Sequence, residues 1–299
     1  MRLGFFGQTG PYAPLALRHL VTSRAELTPV VVVEGKRHPS GRHPHRLLEA
    51  PGQAREVLPR TEMLAHLAHA AGIPVYETAD VNAPDAIRAL RRFDLDFMVC
   101  VGFDRLFSPE LLGVTRRGGI NCHPSRLPAL RGPAPIFWAL RNGARSLGVS
   151  IHGLDPQEDH GPIFAQEGFV LPHLASTGDI YRIAGDLAGR MLSELLPGMA
   201  DGTAPSEPQD HSRATRAPRP KAEDAYFEPE RWSCQALLNF ACAAPFSRAA
   251  WTRLGDDTFH VRRGIGFEAD RKLPAQYILQ DARLFVQCRD GVAELEIQT

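Results

Sequence analysis

The chain has 299 residues, of which 43% are hydrophobic and 23% charged, and Lys+Arg 34 balance Asp+Glu 34 for a formal net charge of zero. That length accommodates one large domain and a smaller one around ordinary cores, and a neutral total singles out no nucleic acid or membrane partner. The five cysteines, Cys100, Cys122, Cys234, Cys242 and Cys288, form an odd set without CxxC spacing. This argues against a disulfide framework or a zinc site and for free thiols in a reducing compartment. The N-terminal run Leu3–Phe6 is too short for a signal-peptide core, and no apolar stretch reaches the roughly 18 residues of a bilayer span. A cytoplasmic protein is expected.

In chain order, Leu3–Gly7 is a short apolar run closed by glycine and Pro14–Val21 has helical spacing. Leu27–Val33 carries the β-branched run Val30 to Val33 of a buried strand. Residues 34–61 are polar and contain Arg and His, which predicts a long loop over the active face or an exposed insertion. Glu62–Ala71 reads as a helix with Thr61 as N-cap and Gly72 as its stop, followed by a strand at Ile73–Tyr76. Pro84–Arg91 is helical with proline at its start, and Phe97–Val101 and Gly119–Cys122 are strands. Strands separated by helices predict an α/β domain with a mostly parallel sheet and helices on both faces. Such sheets bind ligands beyond the carboxyl ends of their strands, here after Val101 and Cys122.

A helix at Ile136–Arg141, strands at Leu147–Gly153 and Ile163–Leu171, and a long helix at Thr177–Leu196 capped by Ser176 or Thr177 complete a domain over residues 1–200. Residues 201–222 are rich in Pro, Ser, Asp and Arg without apolar periodicity and read as a linker. Residues 223–299 form a small, mostly β domain: a helix at Gln235–Ala243, then short strands at His260–Arg263, Tyr277–Leu279, Arg283–Cys288 and Ala293–Ile297. Arg289-Asp290-Gly291 is the turn of a hairpin. Trp232, Phe246 and Trp251 are expected in that domain's core.

Chemistry concentrates in Gly119-Ile120-Asn121-Cys122-His123-Pro124-Ser125. A strand period of two places Asn121 and His123 on one face and Cys122 on the other, towards the core. Downstream lies an acidic loop, Leu154-Asp155-Pro156-Gln157-Glu158-Asp159-His160-Gly161-Pro162. An amide, an imidazole and a carboxylate suit acyl transfer to an amine. Asn121 can donate to an oxyanion, an interaction worth roughly 3–4 kcal/mol. A protonated His123 can stabilise the same charge or protonate the leaving nitrogen. Asp159 can orient His123, hold it charged, and receive the amine's proton. No nucleophilic Ser or Cys is required. On these three residues alone, a hydrogen-bonded strand end is the competing explanation.

The wider pattern decides between them. Gly119 to Ser125, Leu127-Pro128, Arg131-Gly132-Pro133, Pro135-Ile136, Asn142-Gly143, Gly148 to His152, and Asp159-x-Gly161-Pro162-Ile163-x-x-Gln166 resemble the 10-formyltetrahydrofolate-dependent formyltransferases. Pro220 to Asp224 and Leu237-Leu238-Asn239-Phe240 resemble the entry to the second domain of methionyl-tRNA and sugar-nucleotide formyltransferases. The resemblance implies a Rossmann-like catalytic domain, an OB-like carboxyl domain, and catalytic roles for Asn121, His123 and Asp159. It implies that 10-formyltetrahydrofolate is the co-substrate, its pterin held by Arg105, Leu106 and Phe107 and by Asp155, Pro156, Gln157, Glu158 and Asp159. No metal is implied. Gly7-Gln8-Thr9-Gly10 lacks the G-x-G-x-x-G of nicotinamide binding; in the resembling family this loop faces the acceptor, which makes Tyr12 an acceptor-site candidate.

Other polar residues read as structural. His152 is expected to be a strand residue, His160 to face solvent, Cys122 to pack in the core, and His38, His43 and His45 to lie in a solvated loop. The acceptor is open. Residues 222–299 carry 9 Lys/Arg against 12 Asp/Glu, which repels a phosphate backbone. That balance, and a second domain short for a tRNA formyltransferase, favour a small amine such as a nucleotide-linked amino sugar, whose phosphates can meet Arg37, Arg42 or Arg131. Methionyl-tRNA is the alternative acceptor, kept open by the Arg-rich linker and loop. A formyltetrahydrofolate hydrolase and a non-catalytic folate-binding module are the other readings.

Overall fold

Two apolar runs make the centre of the first sheet. β1 (Leu3–Gly7) is buried at every residue, and it lies between β2 (Val31–Gly35) and β5 (Phe97–Val101), parallel to both. The computed structural model describes residues 1–23, 25–35, 46–49, 62–243 and 249–298. Between these strands come α1 (Ala13–Ser23), β3 (Arg46–Leu48), α2 (Leu64–Ala70), β4 (Val75–Thr78) and α3 (Pro84–Arg91). After β5 follow α4 (Pro109–Leu112), β6 (Gly119–His123), α5 (Pro135–Arg141), β7 (Ser146–Gly153), β8 (Ile163–Val170) and α6 (Thr177–Asp201). The eight-stranded order is β3-β4-β2-β1-β5-β6-β7-β8.

The α/β class expected from the alternating pattern holds, but the sheet is mixed. β3 pairs antiparallel with β4, and β7 antiparallel with β6. β3 falls within the segment expected to be a loop; its three residues are partly exposed and carry no buried-strand pattern to betray it. The helix expected from Glu62 begins at Leu64 behind Met63, which makes no side-chain cap bond. The Leu64 N–H is instead donated to Thr9 Oγ1 at 3.2 Å, a contact 55 residues away in sequence. Thr61 lies outside the described residues, as do Arg37, Arg42, His38, His43, His45 and Phe246. Gly72 ends this helix with φ at 75°, and Ser176 caps α6 by accepting from the Asp179 N–H.

By compactness the chain divides into Met1–Arg131 with Gly148–Glu167 and Tyr181–Thr215, and Gly132–Leu147 with Gly168–Ile180 and Arg216–Thr299. The second unit carries α7 (Cys234–Ala243), β9 (Ala250–Leu254), β10 (Asp257–Ala269), β11 (Tyr277–Gln280), β12 (Arg283–Cys288) and β13 (Gly291–Ile297). Its strands form a curled antiparallel sheet, β11-β12-β13-β10-β9, the small OB-like domain. β10 is far longer than the expected His260–Arg263 and changes register twice, near Arg263 and near Gly264–Gly266. Gly264 lets β10 lie against α7, because a Cβ on it would stand 2.7 Å from Leu238 Cδ2. Trp232 is buried, with its ring 5.1 Å from Phe240. Trp251, expected beside it in the core, is only half-buried, its ring tilted against Tyr226 and its Nε1–H donated to Ala222 O.

Candidate active site

β6 ends beside the parallel strand β5 and the antiparallel strand β7, and it brings the expected polar face into one place. Cys122 is turned into the core as predicted, and burial pushes its thiol well above the usual cysteine range. Asn121 pairs in register with His152, and His123 with Ser150. Residues opposite one another on antiparallel strands share a face, so His152 joins the constellation. Asn121 Nδ2 donates to Asp159 Oδ1 at 3.2 Å and lies 3.2 Å from His152 Nε2. His123 Nδ1 is 3.4 Å from Asp159 Oδ2, and His152 Nε2 is 3.3 Å from Asp159 Oδ1. All three residues expected from the sequence therefore meet, together with one histidine expected to be structural.

The Asp159 carboxylate is set by its own backbone and by a glutamine far along the chain. Asp159 has φ at 49°, in the left-handed region that Asp tolerates better than most residues. Gln209 is buried, and its Nε2 donates to Asp159 O at 2.9 Å and to Gly161 O at 2.7 Å. Its Oε1 accepts from Arg131 Nε at 3.1 Å and from Arg131 Nη2 at 2.5 Å. Arg131 Nη2 also donates to His211 Nδ1, and the His211 ring stacks on His160 with centroids 4.2 Å apart. His160, expected to face solvent, is thus half-buried and also bonded to Asp155 Oδ2 at 2.8 Å. Arg131 is occupied by these protein partners. Gln209 and His211 carry no local signal in the sequence, because their partners lie some 50 to 80 residues away.

The proposed pterin segments have one apolar floor in common. Phe107 is buried in a cluster with Phe6, Met98 and Leu111, and Phe103 and Leu154 pack against it. Leu154 begins the acidic loop and Phe107 follows β5, so both loops rise from the same core. Leu106 is 57% exposed above it. Arg105 Nη2 reaches Ala79 O at 3.4 Å, and the Gln157 N–H is donated to Asp155 Oδ1 at 2.8 Å, a tight turn within the acidic loop. Pro156 and Gln157 are exposed and Glu158 half-buried. Tyr12 is buried, and its hydroxyl donates to Cys122 O at 3.0 Å, which commits it to supporting β6. Among the described residues no group of three or more His, Cys, Asp and Glu side chains is arranged to hold a metal ion, and no helix is long and apolar enough to cross a membrane.

Burial pushes the His123 imidazole below its ordinary range, opposed by the attraction of Asp159. The expectation that Asp159 keeps His123 charged is therefore corrected: desolvation outweighs the ion pair. The sign of the linkage follows. With a lower affinity for protons in the folded state, the unfolded chain binds more protons as pH falls through about 6.5, the unperturbed value. His123 thus leaves stability intact above that pH and removes it below. The melting temperature of the wild type is expected to fall between about pH 7.5 and 5.5, and His123→Asn to flatten that slope. Parallel slopes in thermal scans of the two proteins contradict this.

A model of the formyl transferase family matches residues 2–196. This chain belongs to the formyl transferase family. It is 34% identical over 238 residues to the methionyl-tRNA formyltransferase of Chloroflexus aggregans, covering 80% of this chain and 71% of the relative. It is 27% identical over 307 residues to that of Chlorobium limicola, covering 99% and 90%. Among solved structures, the fold is similar to an N-formyltransferase from Helicobacter canadensis, with a TM-score of 0.67, 14% identity and 100% coverage of both chains. It is also similar to HypX from Aquifex aeolicus, with a TM-score of 0.62, 16% identity, and coverage of 99% of this chain and 45% of that one. At these identities the two structures speak for the fold.

Proposed function

We propose that this formyl transferase moves a formyl group directly from 10-formyltetrahydrofolate to the amine of a small molecule, such as a nucleotide-linked amino sugar. The observation that carries the chemistry is the convergence of Asn121, His123 and Asp159 at the end of β6. The folate donor fits the chain: the acidic loop and the segment 105–107 both border the apolar cluster of Phe107 and Leu154, the kind of floor a flat heteroaromatic ring packs on. The donor supplies a formyl group on a nitrogen that can leave. Every further step belongs to this chain's side chains.

His123 Nε2 lies 2.8 Å from Leu130 O, so that nitrogen carries the hydrogen. Its Nδ1 then presents a lone pair to Asp159 Oδ2. A proton lost by the attacking amine is held between these two atoms. The resulting imidazolium charge stabilises the oxyanion, with Asn121 as a second donor. The same proton passes to the leaving nitrogen, directly or through water, so transfer consumes no net proton.

Charge supports the small acceptor. In the second unit Arg231, Arg262, Arg263, Arg271 and Arg283 are each paired with a glutamate. Arg262 and Arg263 share Glu296, so four glutamates offset most of the charge of these five arginines and weaken their pull on a phosphate backbone. Similarity to methionyl-tRNA formyltransferases over four-fifths of the chain favours a second reading, in which charged initiator tRNA is the acceptor. Incubation with 10-formyltetrahydrofolate and each acceptor separates them. Formylated amino sugar with no formylated tRNA is expected. Saturable, salt-sensitive binding and formylation of the tRNA establish the second reading.

A further inference from the structure

His152 is used by neither reading of the acceptor, yet it is buried against both Asn121 and Asp159. Its Nδ1 stands 2.9 Å from the carbonyl oxygen of Gly153. A ring nitrogen facing a carbonyl must carry the hydrogen, so in the neutral ring Nε2 is the acceptor. Nε2 lies 3.2 Å from Asn121 Nδ2 and 3.3 Å from Asp159 Oδ1, and of these two the amide is the group with a hydrogen to donate to it. The amide has two hydrogens, and the structure offers each an acceptor: Asp159 Oδ1 and His152 Nε2. With Nδ2 facing these two neighbouring acceptors, turning the amide oxygen towards the carboxylate would lose both bonds.

We infer that His152 is the positioning residue of Asn121, holding one amide hydrogen so that the other stays aimed as the amine's proton arrives between His123 and Asp159. This rests on the proposed role of Asn121 and deepens it. While Asp159 is ionised it takes the second amide hydrogen. When the amine's proton settles on His123 Nδ1 beside the carboxylate, Asp159 is shared with the imidazolium and its pull on that hydrogen weakens at the moment an oxyanion needs a donor. Without His152 the amide then loses its second acceptor among the described residues and is free to rotate. With it, the amide plane is fixed, and one hydrogen passes from carboxylate to oxyanion. Oxyanion donors act because they need no reorganisation during reaction, and a second layer of hydrogen bonds is what supplies that rigidity. The groups packed around the ring come from β6 (Asn121 and His123), from the acidic loop (Asp159), and from the backbone of its own strand at Gly153.

A double-mutant cycle in the full chain tests this, using 10-formyltetrahydrofolate with whichever of the two acceptors the wild type formylates. His152→Phe is expected to lower kcat by about 10- to 100-fold, with the KM for the folate changing less than about twofold. His152→Gln, whose Oε1 can accept the same hydrogen, is expected to recover most of that loss. In an Asn121→Ala background His152→Phe should add less than about a further twofold, because its effect runs through the amide. An equal proportional loss in both backgrounds, or no recovery with glutamine, overturns the inference. Wild-type activity in Asn121→Ala alone overturns the proposed role of Asn121 instead. Independently of turnover, nitrogen NMR of the wild type at neutral pH should show His152 protonated on Nδ1 and bare on Nε2; a hydrogen on Nε2 overturns it even if His152→Phe does not fold.

Discussion

Asp159→Asn is expected to lower formyl transfer by about three to four orders of magnitude while leaving the fold intact. The replacement keeps the size of the side chain and removes its basicity. Among the described residues Asp159 is the carboxylate that reaches both histidines of the site, at 3.4 and 3.3 Å, so no other of them takes over its proton. The variant's amide also cannot hold a proton against His123 Nδ1, and the imidazolium that stabilises the oxyanion no longer forms. Stability should move the other way or not at all, because a largely buried carboxylate costs desolvation that an amide does not. Steady-state kinetics and a thermal melt on the same preparation check the claim. A loss of less than about tenfold in kcat, or a loss matched by unfolding, contradicts it.

Gly161→Ala is expected to destabilise the protein by about 3 kcal/mol or more and to abolish activity together with it. A Cβ on Gly161 would strike Gly153 O and stand 2.8 Å from the Gly153 carbonyl carbon, both backbone atoms that cannot rotate away. The surrounding contacts oppose any shift. Gly153 N–H donates to Pro162 O at 2.8 Å, Ile163 bridges to Glu207, and Gln209 Nε2 donates to Gly161 O. The room an alanine needs can come only from moving the acidic loop, and with it Asp159. A displacement of about 1 Å at a reacting group is enough for a hundredfold loss in rate. Chemical denaturation of the variant measures the stability term, and an unchanged midpoint with full activity sinks the prediction.

These two residues mark what could be read before the structure and what could not. Asp159 was legible from its motif, and Asn121 with His123 from the period of a strand, since the alternation of faces depends only on neighbouring residues. Local pattern likewise placed α3 at Pro84–Arg91 and β5 at Phe97–Val101 with the bounds the fold shows. His152 was not legible as part of the site, because the residue a strand opposes depends on direction and register, and antiparallel pairing with β6 was not foreseen. Gln209 lies in a Pro-, Ser- and Arg-rich stretch without periodicity. Its four hydrogen bonds to Arg131, Asp159 and Gly161 are long-range contacts between side chain and loop, and no property of residues 201–222 alone announces them. The continuation of β10 past Gly264 was hidden for a related reason: a glycine's close approach to a helix shows only once that helix is placed.

Following the formyl carbon tests most directly whether a formyl group passes from folate to an amine at the Asn121, His123 and Asp159 site. With 10-formyltetrahydrofolate labelled on the formyl carbon, the wild type plus a nucleotide-linked amino sugar or charged initiator tRNA should place the label on the acceptor nitrogen as an amide. His123→Ala should place almost none there. Label released as formate at a rate indifferent to either amine, or amide formed equally by His123→Ala, would contradict it.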